Sequence, residues 1–182
     1  IIKQFNDLYP KVKFNITSSH SSNIFTKLNN EEIHVGIIRG DFKWYEEKNE
    51  LFTEPICIAS VHNFLINDLP DLPRIKFVTD PILYHQINQW WNERYSVESR
   101  NIIETSNTGT CIELLKAGVG YAIIPSLGLQ DFKGFIEPIK WQNGEQFKRQ
   151  TNIYISTKSN MLPVVRVFKD FVMDYYAHRR ND

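Results

Sequence analysis

The sequence predicts an α/β fold built as two lobes of similar order. Its strongest signal is the segment 114–125, in which a helix, a tight glycine turn and a short apolar strand follow one another. A similar alternation of helix and strand runs through residues 1–40 and returns after residue 75. A buried strand directly after a helix is typical of parallel α/β sheets, so we expect helices packed on such a sheet.

In the first lobe the chain is predicted to run helix, strand, helix, strand, followed by a longer β-rich stretch. These elements are assigned, in order, to residues 1–9, 12–16, 24–28, 35–38 and 51–61. Pro10 ends the first helix, because the residue before a proline avoids the helical conformation. Pro55 is expected to interrupt the β-rich stretch. The hydroxyl-rich residues 17–23 precede the second helix, and we expect one of their serines to be its N-cap.

The second lobe repeats this order, and a final helix closes the chain. Its elements are assigned to strand 75–78, helix 87–95, strand 102–103, helix 112–117, strand 121–124, strand 136–141, strand 151–156 and helix 161–176. Gly118 offers the left-handed conformation that ends a helix, Gly120 permits a tight turn, and Pro125 stops the strand. We expect the chain to leave the first lobe near Glu54 and to return near Lys158. The predicted lobes are therefore residues 1–54 with 159–182, and residues 55–158.

Composition excludes several classes of protein. The 182 residues carry 21 Lys and Arg against 21 Asp and Glu, so a net charge of zero gives no long-range attraction to nucleic acid or to an anionic membrane. Cys57 and Cys111 are too few for a disulfide framework and fit a reducing cytosol. No apolar run approaches the roughly 20 residues that span a bilayer. We expect a cytoplasmic protein without membrane contact.

Three stretches resemble the effector-binding domain of LysR-type transcriptional regulators. Residues 5–10 (FNDLYP) look like the "F…YP" of that family, and residues 33–39 (IHVGIIR) resemble its "lDlai" strand. Residues 114–125 (LLKAGVGYAIIP) resemble its "lVaaGlGiallP" segment. The likeness is ordered and covers nearly the whole chain. His34 replaces the usual Asp, and Lys116-Ala117 stands where two small residues are common.

The resemblance implies two Rossmann-like lobes of the periplasmic-binding-protein type, with a ligand cleft between them. It places a further first strand and its Ser/Thr loop before Ile1, and a winged helix-turn-helix upstream of that strand as the route to DNA. It implies a ligand-sensing domain that regulates transcription, acts as a homodimer or tetramer and binds a small-molecule effector. The likeness extends to citrate-responsive catabolite control regulators, so a carboxylate effector, with citrate as the first candidate, is expected.

Arg39 is the leading candidate for ligand binding. It follows a buried strand and precedes Gly40, and ligands of α/β sheets bind at strand ends. A guanidinium at that position can hold a carboxylate through two parallel hydrogen bonds. The resemblance supports this role, because some family members hold an acidic effector from this position. The alternative is an exposed arginine in a turn, or a partner for Asp41.

Further candidates come from hydroxyl and amide side chains near predicted helix starts, and from one more arginine. They are Ser19, Ser21, Asn107, Thr108, Thr79, Tyr84 and Arg149. Hydroxyls and backbone N–H groups at a helix N-terminus suit an anion, and the resemblance places the family's second ligand loop at the serines. The alternatives are an N-cap role for the serines and for Asn107 or Thr108, partial packing of Tyr84 and a solvated surface role for Arg149.

No catalytic motif is visible. The sequence lacks a glycine-rich phosphate loop, a G-x-S-x-G elbow and an H-E-x-x-H pair, and its five histidines lack metal-ligand spacing. We therefore expect no enzyme activity, no catalytic residue, no cofactor and no metal. Two competing functions remain open: a transport-type solute-binding protein for a small anion, and a small α/β enzyme. An upstream secretion signal would favour transport, and an upstream helix-turn-helix would favour regulation.

Overall fold

The computed structural model describes residues 1–179, which form six α-helices and seven strands. The helices are α1 (Ile2–Leu8), α2 (Ser21–Asn29), α3 (Pro81–Asn92), α4 (Thr108–Lys116), α5 (Thr157–Asn160) and α6 (Pro163–Arg179). The strands are β1 (Val35–Arg39), β2 (Glu47–Ser60), β3 (Pro73–Phe77), β4 (Asn101–Thr105), β5 (Ala122–Pro125), β6 (Phe135–Pro138) and β7 (Lys148–Ile155). Short 3-10 helices occupy Ile66–Asp71 and Ser126–Leu129. The mixed α/β class predicted from the sequence is confirmed.

The chain forms two compact units. Unit 1 contains residues 1–53 and the chain from Gln150 onward, and unit 2 contains Glu54–Arg149. The first change of unit lies inside β2, beside the predicted position at Glu54. The second change of unit lies between Arg149 and Gln150, earlier than the predicted position near Lys158. It falls inside β7, which runs unbroken from Lys148 to Ile155.

In unit 1 the sheet is antiparallel where it carries the candidate arginine. Strand β1 pairs with β7 so that Val35 lies opposite Ile155 and Arg39 lies opposite Thr151. The first half of β2 lies on the other side of β7. Buried side chains of α2 and β1, including Leu28 and Ile38, pack with Tyr154 of β7. This core fixes the end of β1 relative to the start of α2.

In unit 2 parallel and antiparallel strands join in one mixed arrangement. Strand β3 pairs with β4 in parallel, and Tyr121, just before β5, bonds to the backbone of Pro73 and Ile75 on β3. Strand β5 pairs with β2, and β2 with β6, both antiparallel. The parallel sheet predicted from residues 114–125 is therefore present between β3 and β4 but is wrong for β2, β5 and β6, which pair antiparallel. Strand β2 enters unit 2 from unit 1 and lies between β5 and β6, and both of these strands run in the direction opposite to it.

Three local predictions need correction. Residues 12–16 form no strand; Val12 and Phe14 are partly buried as predicted, but Ile16 is 68% exposed. The N-cap of α2 is His20 rather than a serine, and it makes no side-chain capping bond. Pro55 does not interrupt β2, because the fixed φ of proline suits extended backbone and the next N–H, of Ile56, donates to the Phe147 carbonyl at 2.9 Å.

Candidate ligand-binding sites

Arg39 ends β1 with an exposed side chain. Gly40 follows it with φ of 99°, a left-handed value that glycine adopts without strain, and so turns the chain away at once. Within residues 1–179 no carboxylate forms an ion pair with Arg39. The alternative partner Asp41 is instead bonded by Lys48. The Arg39 guanidinium is thus available to an external anion.

The start of α2 lies against the end of β1. The backbone N–H of Arg39 donates to Ser21 Oγ at 3.2 Å, and Asn23 Nδ2 donates to Ser19 Oγ at 3.1 Å. Both serine oxygens act as acceptors in these bonds, so each hydroxyl proton can still be donated to a ligand. The structure therefore brings Arg39 and Ser21 together, and Ser19 lies two residues before Ser21, in the loop that leads into α2.

In unit 2, Asn107 caps α4, which is the role that the sequence analysis gave as the alternative to ligand binding. Asn107 Oδ1 accepts a hydrogen bond from the Thr110 N–H at 2.9 Å. Thr108 is the first residue of the helix and is half-buried. The capping bond satisfies one of the free N–H groups of α4 without any ligand.

Thr79 and Tyr84 line one cavity of about 270 Å³ within unit 2. The cavity lies between the carboxyl ends of β3 and β4 and the first turns of α3. Asp80 fixes the helix start, since its Oδ1 accepts from the Ile82 N–H at 3.0 Å. The Val78 N–H donates to the Thr105 carbonyl at 3.0 Å and continues the β3–β4 pairing to the rim. The strand-end location fits a ligand site in an α/β sheet.

Arg149, also predicted to contact ligand, is held by a buried carboxylate. Its Nη2 lies 2.7 Å and its Nε 3.2 Å from Glu54 Oε1, and the two side chains are 11% and 3% exposed. Glu54 Oε2 also accepts the Leu127 N–H at 2.9 Å. A ligand at Arg149 would have to compete with this pair, so its ligand role stays a prediction.

Sequence reasoning missed two residues, Glu54 and Arg74. Arg74 lies on β3, only 4% exposed, and lines the cavity that holds Thr79 and Tyr84. In the sequence it reads as one basic residue of the run Pro73-Arg74-Ile75-Lys76. The one available signal was its position: Ile75 is the core residue of this strand, and its neighbour Arg74 must face the opposite side of the sheet.

Neither thiol is placed for chemistry. Cys57 and Cys111 are buried, and desolvation raises the pKa of Cys57 to about 11 and that of Cys111 to about 12. Among residues 1–179 no cluster of three or more His, Cys, Asp or Glu side chains is arranged to hold a metal ion. In the same part of the chain, no helix combines the length and apolarity that crossing a membrane requires.

Residues 1–177 match the family model of the LysR substrate binding domain. The chain belongs to this family. The LysR-type resemblance read from three short stretches is confirmed by this match, and the periplasmic-binding-protein-like fold class is confirmed with it.

Two curated relatives of this LysR domain come from Bacillus subtilis. The chain is 29% identical over 174 residues to the uncharacterized HTH-type transcriptional regulator YraN, covering 94% of the chain and 60% of YraN. It is 29% identical over 133 residues to the uncharacterized HTH-type transcriptional regulator YkuM, covering 72% of the chain and 45% of YkuM. The chain thus spans about half the length of these two relatives.

Solved structures share the fold. The regulatory domain of Synechocystis CcmR in complex with 2-PG superposes with a TM-score of 0.76 at 15% identity, covering 96% of this chain and 88% of that one. The BenM effector binding domain with benzoate gives a TM-score of 0.71 at 14% identity, covering 98% and 85%. At these identities the likeness establishes the fold alone.

Proposed function

We propose that this LysR domain is the effector-binding part of a transcriptional regulator and senses a small carboxylate metabolite, with citrate as the first candidate. The observation that carries the proposal is Arg39: an exposed guanidinium at a strand end, without an ion pair among residues 1–179, beside the start of α2. A cation held by the fold and left without a partner is suited to an anionic ligand.

The neighbours of Arg39 support a carboxylate in particular. A planar guanidinium offers two parallel N–H donors that match the two carboxylate oxygens. Ser21 and Ser19 offer hydroxyl protons, and the N-cap residue His20 makes no side-chain capping bond at the start of α2. A helix start that lacks a side-chain cap favours negative charge. A polycarboxylate could use the arginine with one group and the helix start with another.

The other site residues predicted from the sequence, and the predicted position of the effector between two lobes, remain proposals. So do DNA binding through a separate winged helix-turn-helix, assembly as a homodimer or tetramer, and a cytoplasmic location. The similarity to YraN and YkuM, both named as HTH-type transcriptional regulators, supports regulation over solute transport or enzyme activity.

A thermal-shift screen of metabolites, carried out on the protein at its natural full length, tests the proposal. A ligand that binds only the folded state raises stability by RT ln(1 + [L]/Kd), so an effector present at about 100 times its Kd adds about 2.7 kcal/mol. Citrate and other di- or tricarboxylates should raise the melting temperature, and neutral sugars should leave it unchanged. Stabilisation by a neutral sugar, with none by any carboxylate, would contradict the proposal.

A further inference from the structure

Arg74 is a buried cation with no anionic partner. Its side chain is 4% exposed, and its Nε is buried without a hydrogen bond. No ion pair or hydrogen bond reaches the guanidinium from residues 1–179. Burial lowers the pKa of Arg74, which is the expected effect of desolvating a charge. Arg149, by contrast, is buried against the carboxylate of Glu54.

Stacking on an aromatic ring accounts for only part of the environment of Arg74. Its guanidinium carbon lies 4.6 Å from the centroid of the Trp91 ring. Such a cation–π contact uses the face of the guanidinium. The N–H donors lie in the guanidinium plane and remain unpaired. Among residues 1–179 no hydrogen bond joins these donors to the nearby phenol oxygens of Tyr121 and Tyr95, whose hydroxyls donate to the carbonyls of Leu69 and Ile66.

The cavity beside Arg74 has apolar walls and few polar groups. Its apolar lining comes from Ile75, Phe77, Val78, Ile87 and Ile123. Thr79, Tyr84, Asn88 and Thr105 add uncharged polar groups. Two further lining residues, Lys76 and Glu104, lie opposite each other in the β3–β4 register, so their charges offset. Arg74 therefore leaves the cavity with one net positive charge.

We propose that this cavity is a binding site for a small organic monoanion, a carboxylate on a compact apolar body, which Arg74 contacts through its free N–H donors. The apolar walls take the body of the ligand, and one carboxylate matches the single excess charge. A polycarboxylate would bring further charges into apolar surroundings without partners, which is unfavourable. The site lies wholly within unit 2, and Arg39 does not line it.

The unpaired charge also sets an expectation for the protein without ligand. A buried cation without a partner destabilises the fold, and its replacement by an apolar side chain of similar length is neutral or stabilising. Arg74→Met should therefore melt at the same temperature as the wild type or higher. If Arg74 served only to stack on Trp91 and stabilise the fold, Arg74→Met would instead lower the melting temperature.

The test uses 19F NMR on the full-length protein labelled with 5-fluorotryptophan. Phenylacetate is the probe, and phenylacetamide is its uncharged isostere. Trp91→Phe assigns the Trp91 signal, and Trp44, which lies in unit 1, is the internal reference. Phenylacetate should shift the Trp91 resonance in a saturable way and leave the Trp44 resonance in place, while phenylacetamide should bind at least about tenfold more weakly, a factor worth 1.4 kcal/mol.

Variants then separate this site from the one proposed at Arg39. Arg74→Met, and also Arg74→Lys, should weaken phenylacetate binding at least about tenfold. Arg100→Met, at an exposed arginine of unit 2, is the matched control and should change nothing. Undiminished phenylacetate binding in the Arg74 variants, equal binding of phenylacetamide, or a lower melting temperature of Arg74→Met would overturn the proposal. Arg39→Ala should lose citrate binding, whereas Arg74→Met should keep it. This pair of results tests the Arg39 site and not the cavity beside Arg74.

Discussion

At the scale of single residues, three arginines differ in burial and in ion pairing, and these two properties indicate whether an arginine has a structural role or can bind a ligand. Arg149 is buried and paired with Glu54 at 2.7 Å, so its charge is already satisfied. Arg39 is exposed and has no ion pair among residues 1–179, which makes it available at little desolvation cost. Arg74 is buried and unpaired, the costliest arrangement of the three.

Arg39→Ala should lower carboxylate affinity by about 2–5 kcal/mol if the ligand's charge is desolvated against the guanidinium. Arg39→Lys should recover little of this, because one ammonium cannot reproduce a two-pronged contact. Isothermal titration calorimetry measures the affinities of both variants. Arg100→Ala is the control, because Arg100 is an exposed arginine of unit 2 whereas Arg39 belongs to unit 1. Wild-type affinity in Arg39→Ala would remove Arg39 from the site.

Glu54→Ala should destabilise the protein by about 3–5 kcal/mol, because it leaves the Arg149 charge buried without a partner. The paired change Glu54→Leu with Arg149→Met should cost far less, since both charges leave together. Urea unfolding monitored by tryptophan fluorescence gives both free energies. Equal losses in the single and the paired variant would show that the ion pair does not anchor this part of unit 2.

The buried thiols predict a loss of stability at alkaline pH. In the folded protein the pKa of Cys57 is raised to about 11 and that of Cys111 to about 12, against an ordinary value of 9.0. Above pH 9 the unfolded chain releases these protons while the folded chain retains them. The thiols' contribution to stability is therefore complete below pH 9 and is lost as the pH rises toward 11.

Unfolding free energies measured between pH 8 and 10.5 should fall with pH, and the slope should be smaller in the double variant Cys57→Ala, Cys111→Ala. Both thiols should also resist Ellman's reagent at pH 8 until the protein unfolds, since the thiolate is the reactive form. Rapid labelling of the native protein, or an unchanged slope in the double variant, would contradict the burial of these groups.

At the scale of elements, the unit from α4 to β5 is the part that the sequence predicted best. Gly118 has φ of 73°, which ends α4, and the strand after it is buried along its whole length. Gly120 lets the chain pass close to β3: a Cβ on Gly120 would lie 2.2 Å from the Pro73 carbonyl oxygen. The turn glycines thus serve two different purposes, one conformational and one steric.

Gly120→Ala should destabilise the protein by about 3 kcal/mol, because the added methyl group meets backbone that cannot rotate away. Gly128→Ala is the matched control, since its Cβ would make only ordinary contacts, the nearest at 3.5 Å. Thermal unfolding of the two variants provides the comparison. A near-neutral Gly120→Ala would mean that β3 and the α4–β5 turn are not in close contact.

The sequence predicted those elements whose signals are local and missed those that depend on partners. Helix α3 is predicted over residues 87–95 from its apolar face alone, whereas it spans Pro81–Asn92; Asp80 caps it and Pro81 takes its first position, two local signals that the apolar spacing does not contain. The antiparallel direction of β2 depends on where distant strands lie, and no local pattern encodes it. Arg74 shows the same limit at the candidate site, because only the packed α3 and sheet make it buried.

At the scale of the whole molecule, assembly remains a prediction. The apolar residues Ile1, Ile2, Phe5 and Leu8 share one face of the first helix in the sequence, a pattern that predicts either a core face or a dimer contact. Phe5 is fully buried, whereas Ile2 and Leu8 are 37% and 64% exposed. Phe5 therefore contributes to the core of unit 1, whereas Ile2 and Leu8 leave apolar surface exposed on the same helix.

We predict the complementary dimer surface at Leu114, Leu115 and Val119, on a helix that also has more apolar width than one contact needs. Leu115 is fully buried, and Leu114 and Val119 are partly buried against the same core. A symmetric dimer would use each contact twice, so we expect light scattering to give a dimer at micromolar concentration. Gln4→Glu, on the exposed side of α1, should weaken the dimer without lowering the melting temperature. A monomer at every accessible concentration would contradict this prediction.

For the whole protein, we propose that this LysR domain recognises a small carboxylate through Arg39. Isothermal titration calorimetry of citrate and a series of di- and tricarboxylates into the full-length protein tests it most directly, with a neutral sugar as the reference and Arg39→Ala as the variant. We expect saturable heat with at least one carboxylate, none with the sugar, and loss of that heat in Arg39→Ala. No heat with any carboxylate, together with saturable binding of the neutral sugar, would contradict it.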